Sequence, residues 1–378
     1  MNPTTDTSTQ GGALLLRLTV LLLVSALAGC APDDAPEADK HPARQPISFG
    51  ATYRPTTRTA PGTLTLDGAD TCEVSLCTVG FGVFACHTGL HPYVSSSVTP
   101  NYMWNQRMVY DYANAVWDYT PLVYWPNTIE GLYPYVSFAA YAPYAAAPGT
   151  GNTAADRCIV DMIRPEESGD PWLVYQLGGS EDDWQDHQVD LLYDFRRDQQ
   201  QGQETRRVSF QLRHALASAG DMVSVVCSTE LLQQLMTAYS GMPLSLILDR
   251  VSLTYTLLRK GRLWLTDDAS PRWETVASES PTVERRLVLE PQGGQVLATA
   301  SSGTACHADA FSASHQGIFY IPLTLADCEQ RVDISIGCHL STDPTTTHTL
   351  NTTVGLTDVT KASSNRNIRI VLPKLSSM

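Results

Sequence analysis

Alternation of apolar with polar residues is the feature that most restricts how this chain can fold. Between Arg331 and Leu340, for example, Val332, Ile334 and Ile336 fall on one face of an extended chain. Successive side chains of a β-strand point to opposite faces, so this period of two is typical of strands with one buried face. The pattern, bounded by turn residues, predicts strands at Ile47–Thr52, Val79–Cys86, Val136–Tyr141, Val208–Leu212, Val223–Cys227, Leu246–Leu258, Arg331–Leu340 and Ile368–Leu372.

One short helix interrupts these strands. From Thr229 to Ser240 the apolar residues recur at helical spacing, and Gly241 followed by Pro243 predicts where the helix ends. Together the patterns predict an all-β, sandwich-like fold with a single short helix.

The first 29 residues predict a secretory signal. An apolar stretch from Ala13 to Ala26, interrupted by Arg17, is too short to span a bilayer, and Leu27-Ala28-Gly29-Cys30 follows it. Small residues before a cysteine resemble a lipobox, in which a peptidase cuts before an acylated thiol. We therefore predict a lipoprotein signal peptide at 1–29 and lipidation, such as palmitate, at Cys30. The alternative is an ordinary signal peptide followed by a chance cysteine.

Residues 30–45 contain no large apolar side chain and predict a flexible tether. Their acidic pair, Asp33-Asp34, resembles the signals that send some lipoproteins to the outer face of the outer membrane. A merely solvated linker explains the pair equally well. We predict a surface-exposed protein of the cell outer membrane.

Charge and length restrict the partners and the number of domains. The 378 residues carry 25 Lys and Arg against 39 Asp and Glu, a net charge of −14, which repels phosphate backbones. We therefore expect no nucleic acid partner. The length allows two domains of ordinary size. A polar stretch at Arg196–Arg207 predicts that they occupy 46–200 and 201–378.

Nine cysteines are present, eight of them besides Cys30. An even number in an oxidising compartment permits disulfides, but the spacing does not give their pairing. The alternation predicts buried thiols at Cys227 and Cys338. No cysteine or histidine spacing matches a known zinc site, so no metal or other cofactor is expected.

The sequence contains none of the common hydrolase, nucleotide-binding or metalloprotease motifs. The richest polar cluster, Glu181–His187, could offer carboxylates for acid-base chemistry or for calcium, but it lacks the spacing of an EF-hand loop. We interpret this cluster as a solvated loop and predict that the protein is not an enzyme.

The segment from Phe81 to Tyr144 is unusually aromatic. It contains Phe-Gly-Val-Phe-Ala from Phe81, Asn-x-Met-x-Asn-Gln from Asn101, Trp-x-Tyr-x-Pro from Trp117, Tyr-Trp-Pro-Asn from Tyr124 and Val-Ser-Phe-x-Ala-Tyr-Ala-Pro-Tyr from Val136. At strand spacing these rings are expected to pack in a sandwich core. An aromatic platform for a glycan is the alternative.

This order of motifs resembles the fimbrillin family, the lipoprotein precursors of type V pilus subunits and their anchors. Val189–Tyr193 and Val208–Leu216 extend the resemblance over the amino-terminal two thirds of the chain. It implies two transthyretin-like β-sandwich domains and an acylated precursor at the cell surface. It also implies that an arginine-specific protease removes an amino-terminal segment and that a strand of a neighbouring subunit fills the opened groove.

The first predicted strand is the element that such a cut would remove. Ile47 and Phe49 point to one face, with Ser48 and Gly50 on the other. We predict a structural subunit or anchor of a surface fimbrium, contributing to adhesion, with other pilus subunits and the outer membrane as partners. The alternative is a stand-alone surface lipoprotein that binds a glycan or a host protein. The candidate cleavage points are Arg44, Arg54 and Arg58.

Overall fold

Strands joined by short turns make up most of the computed structural model, which describes residues 45–53, 76–201, 207–315, 317–323, 329–356 and 365–375. The chain from Gln45 onward forms one compact unit. The all-β fold predicted from the alternation is confirmed.

The strands are numbered in chain order. Strands β1 to β9 are Phe49–Tyr53, Phe81–Gly89, Met103–Asp111, Val116–Asp118, Tyr135–Ala142, Ile159–Met162, Trp172–Gln176, Leu192–Gln199 and Val208–His214. Strands β10 to β21 are Ala217–Cys227, Leu244–Leu258, Lys260–Trp264, Arg272–Thr275, Thr282–Leu289, Gln295–Ser302, Ala305–Ala308, Phe311–Ser314, Ile318–Tyr320, Arg331–Leu340, Asp343–Gly355 and Asn365–Leu372. Two α-helices, α1 (Ala154–Cys158) and α2 (Thr229–Ala238), lie among them, with one more helical turn at 76–79.

The described strands form four sheets. In the first, β1, β4, β3, β2, β5, β8 and β9 follow one another and the sheet closes where β9 pairs with β1. The second places β10 between β17 and β18 and pairs it with β21, and the third orders β16, β15, β11, β19 and β20, with β14 on β11. The fourth orders β13, β12, β7 and β6. The fourth sheet pairs β7, which precedes residue 200, with β12, which follows it.

The predicted boundary near residue 200 stays a prediction. The polar stretch on which it rests is not all loop, however, because β8 continues through Arg196 to Gln199. Phe195 is buried and Arg196 forms an ion pair with Asp194 at 2.9 Å. Pairing with β5 therefore keeps these polar residues extended.

The aromatic segment lies in the core, as expected from its strand spacing. Phe81, Phe84, Phe138 and Tyr141 are fully buried. One cluster of buried residues lies inside the closed sheet and includes Phe81, whereas a second, larger cluster includes Phe84 and Tyr141 and connects the outer face of the closed sheet with the other three sheets.

The predicted helix is confirmed as α2, which begins at Thr229 and ends at Ala238. The Ser228 hydroxyl accepts a hydrogen bond from the Leu231 amide at 3.2 Å and caps its first turn. The prediction of a single helix was wrong, because the structure also contains α1, a five-residue helix that begins with a capping box. Among the described residues, no helix is long and apolar enough to cross a bilayer.

Candidate functional site: the closing strand and its groove

Strand β1 closes the first sheet although it is only five residues long. It pairs antiparallel with β4, where Phe49 lies opposite Trp117. It pairs parallel with β9, from Phe49 opposite Val208 to Tyr53 opposite Leu212. Both partner strands come much later in the chain, so tertiary pairing alone holds β1 in place.

The inner face of β1 is strongly apolar. Phe49 in β1 and Ile47, two residues before the strand, are only 3% and 1% exposed, which confirms the predicted inward face. The Phe49 ring lies 5.5 Å from Tyr119, 5.6 Å from Phe138 and 6.0 Å from Phe210, measured between ring centroids. Burial of each large apolar side chain contributes roughly 1.5 to 3 kcal/mol, so these two residues are the main anchors of the strand.

The residues before β1 are held by the loop that contains Tyr119 and Trp125. The Gln45 carbonyl accepts from the Trp125 amide at 3.0 Å, and the Ile47 amide donates to the Val123 carbonyl at 2.9 Å. The Tyr119 hydroxyl donates to the Ile47 carbonyl at 2.8 Å. Burial raises the pKa of Tyr119, so this hydroxyl remains a neutral donor at physiological pH.

The outer face of β1 carries only small or polar residues. Ser48 and Thr52 are exposed, whereas Gly50 is covered by the side chain of Arg207. A Cβ atom at Gly50 would lie 3.2 Å from Nε of Arg207. Removal of β1 would therefore expose an apolar groove on the inner side and break few contacts on the outer side.

The groove beneath β1 has apolar walls and two strand edges. Tyr119, Trp125, Phe138, Val208 and Phe210 are buried there. Without β1, the facing edges of β4 and β9 would both lose their hydrogen-bond partner. An apolar groove between two unpaired edges is the geometry that takes up an extended strand by β-augmentation.

The predicted site residues lie outside the described part of the chain. Cys30, Arg44, Arg54 and Arg58 are all in this group. Their order along the sequence still separates the candidate cuts. A cut after Arg44 leaves β1 joined to the rest of the chain, whereas a cut after Arg54 or Arg58 detaches it.

Sequence reasoning missed the residues that hold β1. The alternation of Val208, Phe210 and Leu212 predicted a buried face on β9 but could not name its parallel partner. The loop that contains Tyr119 and Trp125 carried only an aromatic signal. Its backbone contacts with Gln45 and Ile47 arise from the tertiary fold.

The acidic segment Glu181–His187 and possible metal ligands were the other candidate sites. The described residues contain no group of three His, Cys, Asp or Glu side chains that could hold a metal ion. In the acidic segment, Trp184 is buried and its indole donates to the Arg286 carbonyl at 2.9 Å. Hydrogen bonds from Ser180 lower the pKa of Asp183. The Asp183 carboxylate therefore stabilises its own loop.

The two cysteines that were predicted to be buried differ in the structure. Cys338 is buried as predicted, whereas the prediction for Cys227 was wrong, since it is only partly buried.

Thiol reactivity gives a test of the packing around the buried cysteines. Burial raises the pKa of Cys86 to about 12 and that of Cys158 to about 11. The thiolate is the reactive form. At pH 8, maleimide should therefore label the more exposed Cys306 first and leave Cys86 and Cys158 unlabelled until denaturant is added. Peptide mass spectrometry reads the order, and equal native rates for Cys86 and Cys306 would contradict the packing.

These features define an all-β protein in which a short amino-terminal strand closes a sheet. The chain is similar to the fimbrium subunit Fim1C of Phocaeicola vulgatus, with 27% identity over 161 residues that cover 41% of this chain and 39% of that protein. The match thus spans about two fifths of the length of that relative. The likeness confirms the fimbrillin resemblance predicted from the aromatic motifs. No family model matches the chain.

Solved structures from Bacteroides species show a partial likeness to the chain. One is a candidate cell adhesion protein from Bacteroides uniformis, with 10% identity, a TM-score of 0.37 and coverage of 81% of this chain and 84% of that one. Another, from Bacteroides ovatus, has 11% identity, a TM-score of 0.37 and coverage of 82% and 86%. At these scores the likeness carries no functional argument.

Proposed function

We propose that the chain is a structural subunit or anchor of a cell-surface type V fimbrium that contributes to adhesion, and that its neighbours join it by strand exchange. The observation that supports the proposal is β1, a short strand held only by tertiary contacts over an apolar groove. The similarity to a fimbrium subunit supports the same role.

Assembly would start with a cut on the carboxyl side of β1. After cleavage at Arg54 or Arg58, Ile47 and Phe49 would keep β1 in place by noncovalent contacts alone. A strand from a neighbouring subunit that carries similar apolar anchors could displace it, because the same groove and the same two strand edges accept either strand. Gains of roughly 1.5 to 3 kcal/mol for each buried anchor would offset the cost of ordering the incoming strand.

The proposal places the precursor at the outer membrane, held by acyl chains on Cys30. It involves no catalytic step, no cofactor and no nucleic acid. The other partners are further pilus subunits.

Cleavage by an arginine-specific protease tests strand exchange. Purified unlipidated protein should be cut at Arg54 or Arg58 and then form higher oligomers, because a strand of a neighbouring subunit can displace the detached β1. Size-exclusion chromatography with light scattering, together with amino-terminal sequencing, gives both readouts. The Arg54→Lys/Arg58→Lys variant should stay monomeric under the same treatment.

A matched Arg44→Lys variant should still assemble, since a cut at Arg44 does not detach β1. If the wild-type chain is cut at Arg58, loses β1 and stays monomeric at high concentration, the strand-exchange mechanism is wrong.

Lipidation has a separate test. The Cys30→Ser variant lacks the thiol that an acyl chain requires, so it should accumulate as an unlipidated precursor and leave the membrane fraction. Fractionation with metabolic labelling by a fatty acid analogue reads the change, and a Cys306→Ser variant serves as the control. If the Cys30→Ser variant still fractionates with membranes, the lipoprotein assignment is wrong.

A further inference from the structure

The fourth sheet presents two unlike faces. Its inner face is apolar, with Leu173, Leu263 and Trp273 opposite one another and buried. Its outer face carries large aromatic and cationic side chains on neighbouring strands. Trp264 lies opposite both Trp172 and Arg272.

These outer side chains stack into a ladder, defined here as Trp172, Arg262, Trp264 and Arg272. The Arg262 guanidinium carbon lies 4.5 Å from the ring centroid of Trp172 and 5.7 Å from that of Trp264. The corresponding distance from Arg272 to Trp264 is 5.0 Å. Contacts of this kind are cation–π interactions, and they hold the guanidinium groups in defined positions.

The two arginines of the ladder differ in their charge partners. Arg272 lies 3.3 Å from Glu274 and 3.9 Å from Asp170, so its charge is balanced. Arg262 has no carboxylate within ion-pair distance among the described residues. Two acidic residues lie near Arg262. Glu274, directly opposite it on β13, is engaged by Arg272 at 3.3 Å, and Asp161, opposite Val174 two strands away, is engaged by Arg164 at 2.8 Å.

Two donor atoms of the ladder have no hydrogen-bond partner among the described residues. In the described part of the chain, Nε of Arg262 and Nε1 of Trp264 are buried without a hydrogen-bond partner. Arg262 as a whole is only partly buried, so its side chain is reachable from solvent. Although the net charge of the chain is −14, an immobilised guanidinium without an ion-pair partner among the described residues offers a local positive charge to an incoming anion. A planar guanidinium matches the two oxygens of a carboxylate.

We propose that the ladder is a binding site for an acidic sugar, whose carboxylate pairs with Arg262 while its ring lies against Trp172 or Trp264. Charge complementarity selects the anion. The partly exposed indoles offer flat apolar surfaces to the C–H groups of a sugar ring. An extended peptide would need an unpaired strand edge, whereas the ladder lies on the face of the sheet. The site is separate from β1 and does not depend on strand exchange.

Titration with trigalacturonic acid tests the proposal, with its methyl ester as the uncharged counterpart. The full chain should bind the acid, measured by calorimetry, and bind the ester at least about tenfold more weakly, since a charge-assisted pair is lost. Arg262→Met should weaken binding of the acid by about tenfold or more, while it keeps a long apolar side chain beside the indoles. Arg262→Lys should recover only part of the affinity, because it keeps the charge but not the planar fork.

Arg250→Met is the matched control, because Arg250 is an exposed arginine of β11 that lies 3.5 Å from Glu290. This variant should bind like the unmodified chain. Thermal unfolding checks that the variants are folded. Absence of binding, equal affinity for acid and ester, or no effect of Arg262→Met would each overturn the proposal. Equally tight, Arg262-dependent binding of triglutamate would overturn the assignment to a sugar. None of these outcomes affects the protease test of strand exchange.

Discussion

Replacement of Phe49 by alanine should lower the free energy of unfolding by about 3 to 5 kcal/mol. The ring is 3% exposed and contacts Tyr119, Phe138 and Phe210. These neighbours belong to other strands or to the Tyr119 loop, so they cannot all collapse into the space that the ring leaves. Urea unfolding followed by tryptophan fluorescence measures the change.

Thr52→Ala is the control for Phe49→Ala. Thr52 lies on the same strand but is exposed, and its hydroxyl donates one hydrogen bond to the Phe210 carbonyl at 3.2 Å. Its loss should cost about 1 kcal/mol or less. Equal effects of the two substitutions would show that β1 is not anchored by its inner face. In cleaved protein, Phe49→Ala should also speed the release of β1.

Gly82→Ala should destabilise the protein by about 3 kcal/mol through overpacking. Gly82 lies opposite Tyr141 on the neighbouring strand, and an added Cβ would come within 2.3 Å of Cε1 of that ring. The ring cannot move aside easily, because it is fully buried and its hydroxyl donates to Oδ1 of Asn105 at 2.6 Å. The added methyl group must therefore displace the backbone or break this hydrogen bond.

Gly337→Ala provides the matched comparison for Gly82→Ala. Gly337 also lies inside a strand, but a Cβ there would be 3.5 Å from its nearest neighbour, Cγ2 of Thr347. We expect a change within about 0.5 kcal/mol or a slight gain, since alanine restricts the unfolded chain. The same urea experiment reads both variants. A loss at Gly337 as large as that at Gly82 would mean that local clash does not explain the effect.

Strand prediction succeeded where one face of a strand is buried. In β19, Val332, Ile334, Ile336 and Cys338 alternate in the sequence and are buried in the structure. Its neighbour β20, Asp343–Gly355, was not predicted, because it is mostly exposed and shows no alternation. Pairing with β19 makes it a strand, and such pairing leaves no local signal.

The candidate site shows the same division. The inward face of β1 follows from Ile47 and Phe49 alone. Its parallel pairing with Val208 on β9 joins residues far apart in sequence. A parallel pair has no connecting hairpin whose turn residues would reveal it, so the groove could not be derived from the alternation of either strand.

The sequence by itself determined the all-β class, the helix at Thr229, the inward face of β1 and the aromatic core, because each depends on the periodicity of neighbouring side chains. Only the tertiary structure decided which strands meet. It closed the first sheet through β9 and placed Arg262 near two indoles, with no carboxylate within ion-pair distance among the described residues. The reason is physical: register and charge pairing depend on distances between remote segments, and local patterns do not encode those distances.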